Sequence, residues 1–213
     1  FHCIHAAYTA KAWAADLPRA EAALLDAAAA NLAPVVFPES LYSYSRPDQV
    51  MREDSPRAAT GGKRGVRTQL LAARAAHPAT TASVAAGDFF GPRVRNAHGG
   101  ERMVGAVLAG RSLQVIGRPD VPHAFTYVPD LAAAMIAVAD RLAAAAAPEP
   151  DRVWHAPTGP ALTQAELARH FADAAGVPLP KISGIPTPLL RAIGLFSPTM
   201  RELAEVAYQF EAP

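Results

Sequence analysis

The stretch VVFPESLYSYSRP, residues 35–47, runs from an apolar segment into a loop that carries Ser40, Tyr42, Ser43, Tyr44 and Ser45. Such side chains can hydrogen-bond a substrate, and the phenols can also pass a proton. Two other segments end in chemically marked loops: HCIHAAY at 2–8 and GDFFGPRV at 87–94. In an open parallel sheet, ligands bind outside the carboxyl ends of the strands. If all three segments end strands of one sheet, their loops converge on one site, and that convergence is the main functional signal. The plainer reading is that loops joining strands to helices are generally polar.

Other constellations carry less. His2, Cys3 and His5 include metal-ligating types, but His2 and Cys3 are adjacent near a strand end and would point opposite ways, so no metal is expected. GAVLAGRS at 105–112 nearly spells a phosphate-binding P-loop with Arg111 in place of lysine. A P-loop runs from strand through loop to helix, whereas this stretch runs out of a helix into a strand. Arg64 and Arg67 in KRGVR are candidates to meet a phosphate, with a solvated helix face as the plainer reading, and Trp13 and Trp154 read as packing residues.

The elements that must position these residues alternate. Residues 10–31 show a helical pattern in which Pro18 is a candidate kink. A strand at 34–37, a helix from about 63 to 77 and a strand at 80–87 follow. Then come a helix near 101–109, strands at 113–116 and 125–128, and a helix over 131–146 with Asp130 as its cap. Strand and helix in turn predict an α/β protein with a parallel sheet covered on both faces. After Pro148 the character changes. A short strand at 152–157 precedes a T-x-x-E capping box, Thr163 with Glu166, for a helix ending before Gly176. Ser197 and Pro198 open a last helix with Leu203, Val206 and Phe210 on one stripe. The expected division is an α/β domain over 1–147 and a smaller C-terminal lobe over 148–213.

Composition bounds the function. The 213 residues carry 20 Lys plus Arg against 19 Asp plus Glu, a net charge of +1, which argues for a small-molecule substrate and against nucleic acid or a membrane surface as partner. A homodimer is compatible with the chain. The lone Cys3 excludes an internal disulfide and suits a reducing, cytoplasmic setting. The opening FHCIHAAY reads as the end of a strand and its loop, so N-terminal strands are expected to lie outside this sequence.

In order and spacing, FHCIHAAY, VVFPESLYSYS, DFFGPRV and PHAFTYVPDLAAAM resemble the extended short-chain dehydrogenase/reductases, the class of sugar-nucleotide epimerases and dehydratases. The resemblance implies a doubly wound Rossmann-like sheet with a C-terminal substrate lobe, and NAD or NADP as cofactor. Carried over position by position, Ser40 matches the serine or threonine that hydrogen-bonds the reacting oxygen, and Lys63 matches the lysine that holds the cofactor ribose. Cys3, Ile4 and His5 match a loop along the cofactor, with Pro38 and Gly87 also beside it. Asp88, Phe90 and His123 fall among substrate contacts, His123 near a position where such epimerases often carry a phosphate-binding arginine.

Two features depart from the pattern. The sequence contains no G-x-G-x-x-G fingerprint. The phenol expected four residues before Lys63 is Ala59, and no tyrosine lies between Tyr44 and Tyr127. In the family that phenol is the acid or base. Tyr42 or Tyr44 from the hydroxyl loop is therefore a candidate substitute, and a non-catalytic NAD(P)-binding regulator is the alternative function.

Overall fold

The computed structural model describes residues 1–147 and 149–210. In chain order the elements are α1 (Ala10–Ala30), β1 (Val35–Ser40), α2 (Gly62–Ala76), β2 (Thr81–Ala86), β3 (Asp88–Phe90), α3 (Glu101–Leu108), β4 (Leu113–Ile116), β5 (Pro122–His123), β6 (Phe125–Tyr127) and α4 (Val128–Ala144). There follow β7 (Arg152–His155), β8 (Leu162–Thr163), α5 (Gln164–Ala175), β9 (Ile182–Ile185), α6 (Thr187–Gly194) and α7 (Pro198–Val206). The chain forms two compact units. One comprises residues 1–46, 50–86 and 129–157; the other comprises 47–49, 87–128 and 158–213.

The first unit is an α/β layer built on a parallel sheet in the order β1-β2-β7. Central strand β2 is buried along its whole length, as a strand covered on both faces must be. The two-residue period of a strand sorts its side chains. Val36 of β1 and Ala82, Val84 and Ala86 of β2 pack with Leu131, Met135 and Leu142 of α4. Val35 and Phe37 face the other way, onto Leu25 and Ala28 of α1. Helix α1 runs unbroken through Pro18 and buries Trp13, Leu17, Glu21, Leu25 and Ala28, a stripe of three- and four-residue steps. The opening segment lies along β1, with the His2 N–H donating to the Val36 carbonyl at 3.1 Å.

A charge sits inside that stripe. Glu21 is 4% exposed and meets Arg74 of α2, 1% exposed, in a bidentate pair at 2.6 and 2.7 Å. Arg74 also donates to Glu39 of β1 at 2.8 Å and to Ser83 of β2 at 3.0 Å, and its guanidinium lies 3.9 Å from the Phe37 ring centroid. Burial works against the charged guanidinium, but the two carboxylates outweigh it and hold the Arg74 pKa above its ordinary value. One side chain thus joins two helices to two strands.

The second unit has three two-stranded ladders: β3 with β6 and β4 with β9, both parallel, and β5 with β8, antiparallel. Its core gathers Met103 and Val107 of α3, Leu113 and Val115 of β4, Phe125 of β6, and Leu167, Ala168 and Ala172 of α5. The expected capping box is formed: Thr163 Oγ1 accepts from the Glu166 N–H at 3.0 Å, and Glu166 Oε2 accepts from the Thr163 N–H at 2.8 Å. Gly176 ends α5 at φ +66, a left-handed cap that favours glycine. Ser197 caps α7 by accepting from Met200, with Pro198 in the first turn.

Four expectations need correction. The compact units do not divide at 147/148. Strand β7 pairs with β2 in the first unit, while 87–128 belongs to the second, because β4 and β6 find their partners in β9 and β3. Asp130 is not the cap of α4; the helix begins at Val128, and the carboxylate sits inside the first turn, where it suits the positive end of the helix dipole. Strand β1 runs to Ser40, three residues past its expected end. Arg64 and Arg67 are not a solvated face. Arg64 donates to the carbonyls of Tyr42 and Tyr44 at 3.3 and 2.7 Å, and Arg67, 8% exposed, lies 3.5 Å from Glu39.

Removing one partner of a buried ion pair leaves the other uncompensated, at a cost of about 3–5 kcal/mol. Arg74→Met is expected to lower the unfolding free energy by roughly that much in urea titration; a loss under about 1 kcal/mol would show that the cluster does not hold the unit together.

Candidate active site

The end of β1 sets the geometry of the first unit's site. Glu39 points into the Arg74 cluster, yet its Oε1 accepts from the Ser40 N–H at 2.7 Å and from Ser40 Oγ at 3.3 Å. Ser40 Oγ in turn accepts from the Tyr42 N–H at 3.4 Å and caps a short 3-10 turn over Leu41–Ser43. Turn and cap fix where the phenols go. Tyr42 stacks on Trp13 with ring centroids 6.2 Å apart and shares a 2.8 Å hydrogen bond between hydroxyls with Tyr8.

Lys63 completes the group. It occupies the first turn of α2, where a cation opposes the helix dipole, and it is fully buried, which is rare for lysine. Its ammonium lies 4.6 Å from the centroid of the Tyr8 ring. Such a cation–π contact offsets part of the desolvation cost. The structure therefore brings Ser40 and Lys63 into one contact chain, Ser40–Tyr42–Tyr8–Lys63. Tyr8 is the member that the sequence reading missed. Its signal, a phenol closing the HCIHAAY loop, was present, but nothing in the sequence links position 8 to position 63.

Tyr44 has a different setting. It is 1% exposed, and its hydroxyl lies 2.6 Å from His155 Nε2 and 3.1 Å from Arg57, whose guanidinium also donates to the Glu53 carbonyl. A guanidinium can only donate, so the Tyr44 oxygen accepts from Arg57 and its own proton goes to His155. That requires a neutral imidazole. Burial lowers the His155 pKa and, in keeping, raises that of Tyr44. The His155 backbone N–H donates to Glu53 at 2.8 Å.

Cys3, Ile4, His5 and Pro38 line a cavity of about 80 Å³, together with His2, Glu21, Phe37, Arg67 and Arg74. The volume suits a few water molecules rather than a dinucleotide. His2 Nε2 is buried beside it without a hydrogen-bond partner among the described residues, and burial lowers the His2 pKa. His5 packs edge-on against Trp13 at 4.9 Å and lies 3.4 Å from Arg67.

The second unit holds the remaining candidates. A Cβ at Gly87 would lie 2.3 Å from the Ala124 carbonyl oxygen, so packing alone demands glycine there. Its N–H donates to Thr126 Oγ1 at 3.0 Å. Asp88 pairs with His123 Nε2 at 2.8 Å, and His123 packs on Phe210 at 4.4 Å. His98 packs on the same Phe210 ring at 4.8 Å. Burial favours the neutral Asp88 acid, but His98 and the His123 hydrogen bond outweigh it and hold the carboxyl below its ordinary range. Burial lowers the His98 pKa. Phe90 packs against Tyr127 at 5.3 Å.

The described elements form a Rossmann-like α/β fold, and solved structures share it. A GalE-like L-threonine dehydrogenase from Cupriavidus necator superposes with a TM-score of 0.63 at 19% identity, covering 82% of this chain and 65% of that one. A dTDP-glucose 4,6-dehydratase from Bacillus anthracis, solved with NAD, gives 0.60 at 16% identity, covering 76% and 53%. A UDP-N-acetylglucosamine 4-epimerase from Methanobrevibacter ruminantium, solved with UDP-N-acetylmuramic acid, gives 0.58 at 16% identity, covering 72% and 50%. The chain thus spans about half to two thirds of the length of the structures it matches. No protein-family profile and no curated protein matches it. Among the described residues, no helix is long and apolar enough to cross a membrane.

The Tyr44–His155 pair predicts a pH response with a definite sign. A lowered histidine pKa means that the unfolded chain binds its proton first, so stability falls as pH drops below about 6.5. A raised tyrosine pKa means that the unfolded phenol ionises first, so stability also falls as pH rises through about 10. Denaturant midpoints between pH 5 and 11 are expected to show both limbs, and Tyr44→Phe is expected to flatten the alkaline one. An unchanged alkaline limb in that variant would refute the assignment.

Proposed function

We propose that this chain carries the catalytic side of an NAD(P)-dependent oxidoreductase, of the epimerase, dehydratase or reductase type, acting on a small or nucleotide-linked substrate in the cytoplasm. The observation that carries the proposal is the contact chain Ser40–Tyr42–Tyr8–Lys63 beyond the carboxyl end of a parallel strand, in the fold of enzymes solved with NAD and nucleotide sugars. Ligands of open α/β sheets bind at such ends.

On the family resemblance, these residues would meet the ribose and nicotinamide end of the cofactor, outside the small cavity that four of them line. Lys63 would hold the ribose, Ser40 would polarise the substrate oxygen, and Cys3, Ile4, His5 and Pro38 would border the nicotinamide side. The bound nicotinamide would supply or accept hydride. The sequence offers no glycine-rich cradle for the pyrophosphate. Gly87, Asp88, Phe90 and His123 remain candidates within their own unit, on the family resemblance. Ala59, buried at the position of the family phenol, favours a second reading, a regulator that binds NAD(P) without turnover.

Calorimetric titration of NADH and NADPH into the full-length natural protein tests the proposal, with Ser40→Ala beside it. The enzyme reading expects nucleotide affinity retained within about twofold and turnover on a nucleotide-sugar panel reduced about 10²-fold or more, the usual loss for an oxyanion-type donor. Binding without turnover would support the regulator. Absence of binding would overturn both.

A further inference from the structure

We propose that the outer face of α6, with the turn that follows it, is a docking surface for the headgroup region of an anionic lipid bilayer. The proposal does not depend on the oxidoreductase reading. Thr187, Leu190 and Gly194 fall on one side of α6 and are buried, and there Leu190 packs with Ile116, Ala207 and Phe210. The opposite side is apolar as well. Pro188, Leu189, Ala192, Ile193, Leu195 and Phe196 are all exposed, Leu195 to 72% and Phe196 to 91%. A helix that is apolar on both sides normally has both covered, whereas α6 has one. Nor are these side chains scattered. Of the twelve large apolar side chains exposed among the described residues, four lie between positions 189 and 196, so they form one patch.

The turn is held in place rather than left as a frayed end. The Phe196 and Ser197 N–H groups both donate to the Ile193 carbonyl at 3.0 Å, and Arg201 of α7 donates to the Gly194 and Leu195 carbonyls at 3.1 and 3.5 Å. Charge selects the occupant. From position 174 to position 201 the sequence contains no Asp or Glu, yet it holds Lys181, Arg191 and Arg201. Arg191 is exposed on α6 itself, and the next acidic residue, Glu202, is half-buried on α7. A second copy paired antiparallel on the Leu189–Ile193 face would bring Arg191 against Arg191, with no carboxylate of α6 to answer either. An anionic leaflet answers both charges: the arginine heads reach the phosphates while their apolar neighbours enter the boundary with the acyl chains. The net charge of +1 is no guide here, because the chain's acidic residues all lie outside this stretch.

Flotation of the full-length natural protein with vesicles of phosphatidylcholine and phosphatidylglycerol in equal parts, beside vesicles of phosphatidylcholine alone, tests the proposal. Binding to the mixed vesicles is expected to exceed binding to the neutral ones by about tenfold or more and to fall as salt rises. Leu195→Ser combined with Phe196→Ser is expected to weaken it by about tenfold or more, since each apolar side chain withdrawn from water contributes about that factor. Arg191→Glu is expected to cost about fivefold on the mixed vesicles and little on the neutral ones. All three positions are exposed, and circular dichroism with an unchanged melting temperature would confirm that the variants fold. A wild-type protein that binds neither vesicle, or binds both equally, would overturn the proposal, as would a double variant that binds like the wild type. Light scattering covers the other occupant: a wild-type dimer that ignores vesicles and dissociates in the double variant would assign the face to a second copy and overturn the lipid reading.

Discussion

The buried Arg74 guanidinium is the interaction on which the first unit depends. A parallel strand such as β1 is flanked by helices on both faces, and the face toward α1 and α2 carries Glu39 amid Val35 and Phe37. Glu39 cannot remain ionised there alone, because the desolvation cost of a lone carboxylate is several kcal/mol. Arg74 answers Glu39 and Glu21 together through separate edges of its planar fork, and Ser83 takes a further bond. Lysine would bring a compact point charge without that fork, so it could not satisfy two carboxylates in fixed directions. Glu39 then spends its other oxygen on Ser40. The same carboxylate that locks the sheet to its helices therefore also orients the Ser40 hydroxyl proposed to polarise the substrate.

The loops use hydrogen bonds from distant residues for the same end. Arg64 reaches back from α2 to two carbonyls of the hydroxyl loop, and His155 at the end of β7 receives the Tyr44 proton. Each bond ties the loop to a distant element, and each spans more than 15 residues of sequence. The loop after β1 is thereby held rigid from α2 and β7, as a site with defined geometry requires. In the second unit, a hydrogen bond joins Asp88 at the start of β3 to His123 at the end of β5, beside the Phe210 ring.

Local features were legible in the sequence; long-range ones were not. The Thr163–Glu166 box, the Ser197–Pro198 start and strand 113–116 depend on neighbours within a few residues, so pattern alone revealed them. The α/β alternation was equally plain. Which strands pair is a different matter: β4 and β6 read as strands just as β2 does, and only their partners β9 and β3 show that they belong to another unit. Glu21 reads as a solvated position in an alanine-rich helix until Arg74 arrives from 53 residues away. KRGVR misled for a like reason, since its arginines serve carbonyls and a carboxylate on other elements. Ser40 and Lys63 could be marked from family resemblance, but the contact chain that joins them passes through Tyr8, which no spacing rule connects to either.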